Sequence, residues 1–378
     1  MCRRALIPFT HTSREAKSMT RYHVYDRSQT YDWNFEHAPD VDLTPQRAPA
    51  YPDHLAPPAQ MGSYTFCGLP VESPLGIAAG PLLNGKWLVY YARLGYSTLT
   101  YKTVRCQPRD SYPLPNLQPI LESEIRDGDL VTATETTQDS WAISFGMPSR
   151  HPDWWQADIR KALAQLASGQ RLIVSVVASP AAEWTIDQIA ADYAQCARRA
   201  AETGADCIEL NLSCPNVVSA DGRLYGHPPA AARVAHEVHK AVPHLPLLLK
   251  IGFVPDALAA ERLVDAVAGS CNGLSMVNCL SARVKGPRGL LFDGQPRGIG
   301  GTAIRNQCLQ QVERFAAAIE KLNVPLHLIG VGGISQPHHI QSYLDAGAEA
   351  VHVATAAILR PQLAAEWRVW TAARSAPG

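Results

Sequence analysis

Eight short apolar runs, set apart by longer amphipathic stretches, constrain this chain more than any other feature. They read LGIAAG (75–80), STLTYK (97–102), LIVSVVA (172–178), DCIELNL (206–212), PLLLKIG (246–252), GLSMVNC (273–279), LHLIGVGG (326–333) and AVHVATA (350–356). Each is nearly continuous in Val, Ile and Leu, as parallel strands buried on both faces require; a strand with one wet face would alternate. Helical periodicity between the runs is clearest at 185–202, where Ile186, Ile189, Ala190, Tyr193, Ala197 and Ala200 share a face and Gly204 can end the helix. Similar patterns occupy 229–241, 256–268, 304–321 and 361–373. Strand and helix alternating in this way predict an α/β protein, a closed (β/α)8 TIM barrel rather than an open doubly wound sheet.

The chain has 378 residues, and such a barrel needs about 250. The remainder falls in two places. Residues 1–70 are rich in Pro, Asp, His, Tyr and Arg without periodicity, and are expected to form an irregular, extended arm, disordered over 1–20, ahead of a barrel spanning 71–378. The arm's tract YDWNFEHAP (31–39) is aromatic enough to dock on something. Residues 103–155, after the second run, are too long for a plain connection, and are expected to fold as small hairpins over the barrel's C-terminal face, where such barrels hold their active sites.

Charge and cysteine usage remove several function classes. Lys+Arg and Asp+Glu both total 34, so no basic surface for nucleic acid is expected. No run approaches the roughly 18 apolar residues of a membrane span, and the opening segment is too short in apolar residues for a secretory signal. A cytoplasmic protein is expected. Arg3, Arg4, Arg14, Lys17 and Arg21 against the single acid Glu15 weakly resemble a transit peptide; the alternatives are a disordered leader or a start at Met19. Nine cysteines without a C-x-x-C pair argue against a metal site, an iron–sulfur cluster or a disulfide framework.

Polar residues end several of the apolar runs: Lys102, Asn211, Cys214, Lys250, Asn278 and Thr355. In a barrel these ends converge on one mouth. A lysine buried there is costly without an acceptor, so two of them point to an electron-rich ligand, although either alone could snorkel past the rim. The glycine clusters GIGG (298–301) and GVGG (330–333), with the segment ending at Thr355, match the phosphate cup that late barrel strands form, where backbone N–H groups approach phosphate oxygens and a following helix adds its dipole. Within ELNLSCPNVVS (209–219), Asn211 and Asn216 flank Cys214. Amides read planar arrays of donors and acceptors, such as a pyrimidine edge, and a thiolate can remove a proton near neutrality.

The segment NLSCPN (211–216) resembles the active-site loop of the dihydroorotate dehydrogenase family, and the likeness runs in order through IAAG (77–80), YKT (101–103), SFGMP (144–148), LKIG (249–252), MVNC (276–279), GIGG, GVGG and VATA (353–356). The resemblance implies an FMN-dependent oxidoreductase that acts on dihydroorotate. It implies a cofactor site of Ala79, Gly80, Lys102, Thr103, Lys250, Asn278, Gly300, Gly301, Gly332, Gly333, Ala354 and Thr355, with Lys250 at the pyrimidine side of the isoalloxazine. It further implies a substrate shell of Lys102, Asn211, Asn216, Asn278 and Cys279, with Cys214 as base for C5 while hydride leaves C6. A cysteine base resembles the soluble class of the family, whose members are often homodimers. Three positions depart from the pattern: Ile143 stands where the family usually has asparagine, Cys279 where serine or threonine follows the asparagine, and Ala354 where glycine precedes Thr355. They leave open a different dihydropyrimidine or enone as substrate. A Schiff-base lyase using Lys102 or Lys250 as nucleophile is the alternative from another class.

Overall fold

The computed structural model describes residues 24–39, 64–136, 138–213 and 223–375. All eight apolar runs carry strands: β1 (Leu75–Ile77), β2 (Thr98–Val104), β3 (Arg171–Val176), β4 (Cys207–Asn211), β5 (Leu247–Lys250), β6 (Gly273–Met276), β7 (His327–Val331) and β8 (Ala350–Val353). Every neighbouring pair is parallel, in sequence order, and β8 pairs with β1 to close the barrel. Closure leaves no unpaired edge, which explains why none of the strands needs a polar face toward water. Helices α4 (Ile186–Ala201), α5 (Pro228–Ala241), α6 (Ala257–Val267), α7 (Arg305–Leu322) and α10 (Leu363–Ser375) follow the five helical stretches, whereas α3 (Pro152–Leu163) and α8 (Pro337–Asp345) lie outside them. The capping box of Thr185 and Gln188 starts α4, and Pro228 in the first turn starts α5. Short α9 (Thr355–Leu359) begins where β8 ends.

The barrel's lower end is plugged. A hairpin of Tyr64–Phe66 and Leu69–Val71 inserts Phe66 against Ile173, Cys207, Leu248, Ile329 and Ala350, the apolar layer near the strands' N-terminal ends. The Phe66 ring stacks on His352 at 5.7 Å. Glu349 ties the plug down, accepting from Thr65 Oγ1 at 2.5 Å and the Cys67 N–H at 3.0 Å, and pairing with His327 at 3.0 Å. Burial would raise the Glu349 carboxyl, but these partners outweigh it and hold it below its ordinary range.

The long connection after β2 contributes three short strands, Leu117–Pro119, Leu130–Thr132 and Ser140–Ile143, and the first and last of them pair antiparallel. The sheet they form is shared, because Leu280–Gly286, Gly289–Leu290 and Arg297–Gly301, from the connection after β6, complete it. The GIGG cluster is thus the last of these strands and not a free turn. A Cβ on Gly301 would lie 2.1 Å from the Asp139 carbonyl, so the pairing with Ser140–Ile143 requires glycine there.

Part of the arm is ordered as α1 (Tyr31–Glu36), whose N-cap Thr30 accepts from the Trp33 N–H. The aromatic tract docks on the barrel. Tyr25 and Tyr31 are buried against Phe145, at 5.6 and 5.4 Å between ring centres. Asn84, at the start of α2 (Gly85–Arg93), donates to the Phe35 carbonyl at 2.6 Å, and Trp87 Nε1 donates to the Asn34 carbonyl at 3.0 Å. Residues 1–23, on which the leader reading falls, lie outside the described residues.

Candidate active site

Two contiguous cavities open across the C-terminal mouth. One is lined by Gly300, Gly301, Gly332, Gly333, Ala354 and Thr355, with Thr302, Ser335, Gln336 and Arg360 around them. The other is lined by Ala79, Gly80, Lys102, Thr103, Asn211, Lys250 and Cys279. Ile143, Asn278, Val331 and Ala354 border both. Every site residue expected from the sequence and lying within the described residues lines one or both of these cavities. Cys214 and Asn216 lie outside the described residues.

Local backbone explains the glycine cup. Gly332 and Gly333 follow β7 with φ of +119° and +69°, conformations that side chains disfavour. A Cβ on Gly333 would come within 2.4 Å of Arg305 Cβ, so the turn after β7 reaches the start of α7 only without a side chain. Gly300 approaches from the upper sheet, where a Cβ would meet Thr355 Oγ1 at 2.9 Å. Three chain segments thereby bring backbone to one small space, a geometry suited to a multidentate anion such as phosphate.

The second cavity is polar on one wall. Asn211 Nδ2 reaches Thr103 Oγ1 at 3.3 Å, Thr103 Oγ1 meets Ser175 Oγ at 3.0 Å, and Asn211 Oδ1 accepts from the Ser213 N–H at 3.2 Å. The Asn278 amide donates to the Ser213 carbonyl at 2.5 Å, tying the end of β6 to the residue before Cys214. Lys102 and Lys250 are both buried. Among the described residues no hydrogen bond or ion pair engages the Lys250 ammonium, which faces the cavity. A buried ammonium without an acceptor is unfavourable by several kcal/mol, roughly the cost of an isolated buried ion, and an electron-rich ring across the mouth removes that cost. The lysine and the glycine cup therefore fit a phosphate-bearing heteroaromatic cofactor.

Known proteins place this geometry. A family model described as dihydroorotate dehydrogenase matches residues 132–366. A dihydroorotate dehydrogenase of Dictyostelium discoideum is 32% identical over 373 residues, covering 91% of this chain and 96% of that protein. The chain belongs to the dihydroorotate dehydrogenase family. A catalytic subunit of dihydroorotate dehydrogenase B (NAD(+)) from Desulforudis audaxviator is 31% identical over 306 residues, 79% of this chain and 88% of its own length. The crystal structure of the Eimeria tenella enzyme in complex with ferulenol shares the fold, with a TM-score of 0.64 at 18% identity over 80% of this chain and 81% of that one.

For a member of the dihydroorotate dehydrogenase family, the mouth carries unexpected neighbours. Ile143 borders the cup as well as the amide wall, and its Cδ1 would lie 3.1 Å from a Cβ on Gly300. Glu209 and His352, which point into the barrel beneath the site, and Ser335, Gln336 and Arg360 at the cup's rim were not among the site residues expected from the sequence. Period-2 alternation held the signal for Glu209, since Asn211 two residues on faces the mouth. Arg360 is engaged by Glu366 at 2.8 Å. No helix among the described residues is long and apolar enough to cross a membrane.

Proposed function

We propose that the chain is an FMN-dependent oxidoreductase that oxidises dihydroorotate, working as a cytoplasmic homodimer, with 71–378 as its barrel and 1–70 as an arm clamped to it. The observation that supports this reading most is the pairing, at one mouth, of a three-segment glycine cup with the buried Lys250 ammonium. In this reading Gly300, Gly301, Gly332, Gly333, Ala354 and Thr355 hold the cofactor's phosphate, and Ala79, Gly80, Thr103 and Lys250 face its ring system. FMN, when bound, supplies the acceptor for the hydride that leaves C6 of the substrate.

The chain's own residues do the rest. Lys102 and the amides of Asn211, Asn216 and Asn278, with Cys279 beside them, hold the pyrimidine ring, and the tie from Asn278 to Ser213 sets where the Cys214 loop begins. The Cys214 thiolate takes the C5 proton. Anaerobic addition of dihydroorotate to the yellow protein is expected to bleach its visible absorbance, whereas dihydrouracil is not; a colourless protein, or bleaching by dihydrouracil alone, overturns the assignment. Replacing Cys214 by Ser is expected to slow that bleaching by several orders of magnitude at neutral pH, about the ceiling for losing a positioned base, and an unchanged rate removes Cys214 from the role.

Ile143 and Cys279 favour a second reading, a less polar dihydropyrimidine or an enone as substrate, because an isoleucine beside the amide wall offers no hydrogen bond. The same bleaching experiment with such compounds separates the two. The Schiff-base lyase leaves Asn211, Cys214 and Asn216 without a purpose.

A further inference from the structure

The barrel lumen beneath the proposed cofactor site is not apolar. Alternation along the strands turns Thr100, Glu209, Ser275 and His352 inward, one layer above the apolar ring that packs on Phe66. All four are essentially inaccessible to solvent, and each has a side-chain atom with no hydrogen-bond partner among the described residues: Thr100 Oγ1, Glu209 Oε2, Ser275 Oγ and His352 Nδ1. Glu209 also borders the upper cavity, as does Lys250 on the next strand. The register sets Leu248 beside Glu209 and Lys250 beside both Asn211 and Ser275, so the carboxylate and the ammonium lie diagonally across one strand pair, facing the same space. The Lys250 charge reaches His352, three strands away, where it adds to burial in holding that imidazole neutral.

Two buried opposite charges, neither hydrogen-bonded nor ion-paired to a protein group among the described residues and surrounded by hydroxyls with bonds to spare, fit a hydrated pair. We infer that Glu209 is a positioning residue for Lys250: through ordered water shared with Ser275 and Thr100 it fixes the ammonium's orientation and offsets part of the positive charge presented to the flavin. This rests on the flavin assignment made above. Its consequence is electrostatic and has a sign. Without the Glu209 charge the site becomes more positive, which favours any state in which the flavin carries extra negative charge, both its two-electron-reduced form and its adduct with sulfite.

The test uses the full-length, flavin-loaded protein and two readouts other than turnover: sulfite affinity and the two-electron midpoint potential. Glu209→Gln is expected to tighten sulfite binding about tenfold, and to raise the potential by about 30 mV, the equivalent of tenfold for a two-electron couple. Lys250→Gln is expected to move both the opposite way, and the double variant to match Lys250→Gln within about threefold, as coupling through one group requires. An unchanged potential in Glu209→Gln overturns the inference. So does a Glu209 effect that persists in full when Lys250 is gone, which would make the carboxylate an independent field and not a positioner. Should Glu209→Gln fail to fold, a high-resolution crystal structure of the unaltered protein decides: Glu209 Oε2 and Lys250 Nζ must be joined directly or through one or two shared waters at about 3 Å, and the absence of any such link overturns the proposal. A colourless wild-type protein overturns the flavin reading instead, and the same crystal structure still tests the pair.

Discussion

Ile143 decides how closely this chain can follow its relatives. It is half-buried at the junction of the two cavities, where an asparagine would present an amide to a bound ring. Restoring that amide tests whether the position belongs to the substrate shell. Ile143→Asn is expected to tighten orotate binding roughly five- to tenfold, the worth of about one net hydrogen bond, while lowering thermal stability through lost packing. Reduced stability with unaltered orotate affinity would place Ile143 in the cofactor's surroundings only. Residues such as Lys102, Lys250, Asn211 and Asn278 were legible because each interrupts or ends an apolar run, where a polar group has no structural reason to be. Glu209 and His352 were not. Both interrupt their runs as well, Glu209 in DCIELNL and His352 in AVHVATA, but they sit in mid-strand, and only closure of the ring turns them toward a common lumen instead of toward helices.

At the scale of elements, the barrel strands and the helices α4 to α7 and α10 follow from continuous apolar runs and 3.6-residue periodicity, signals carried within each segment. The upper sheet lacked such a signal, since its strands run to two to seven residues and pair across 155 to 161 positions, Ser140–Ile143 with Arg297–Gly301. Nothing local records that partnership. The helix α1 has the same problem: six residues are too few to be stable alone, and the order of this segment comes from Tyr25 and Tyr31 packing on Phe145 and from the bond between Asn84 and Phe35. Asn84 does two jobs, because its Oδ1 also caps α2 by accepting from the N–H groups of Lys86 and Trp87. Asn84→Ala is expected to cost about 1–2 kcal/mol and to expose the arm to limited proteolysis. Asn84→Asp keeps the cap but loses the donor to Phe35, so the arm should still be released at a smaller cost. An arm equally protected in all three proteins would show that the Asn84 bond does not hold it.

Over the whole molecule, the buried imidazole of His352 couples stability to pH. Burial, joined by the Lys250 charge, lowers its pKa from 6.5 to about 3. The unfolded chain binds this proton below pH 6.5 while the folded one refuses it, so the stabilisation is complete above 6.5 and is lost as pH falls toward 3. Between pH 6.5 and 5 the loss approaches about 1.4 kcal/mol per pH unit for one fully linked proton. In His352→Asn, stability at pH 7 is expected to be lower, yet its decline from pH 7 to 5 should be shallower than in the unaltered protein. Equal slopes would exclude His352 as the linked group.

The Phe66 plug has a consequence for traffic. With the lower end of the barrel sealed by the hairpin and its bonds to Glu349, the electron donor and whatever later receives the electrons are left the upper end, and the prediction is that they share one doorway there. Two visitors to one doorway take turns. The steady-state signature is ping-pong kinetics, with parallel double-reciprocal lines, and each visitor at high concentration should inhibit by occupying the form of the enzyme meant for the other.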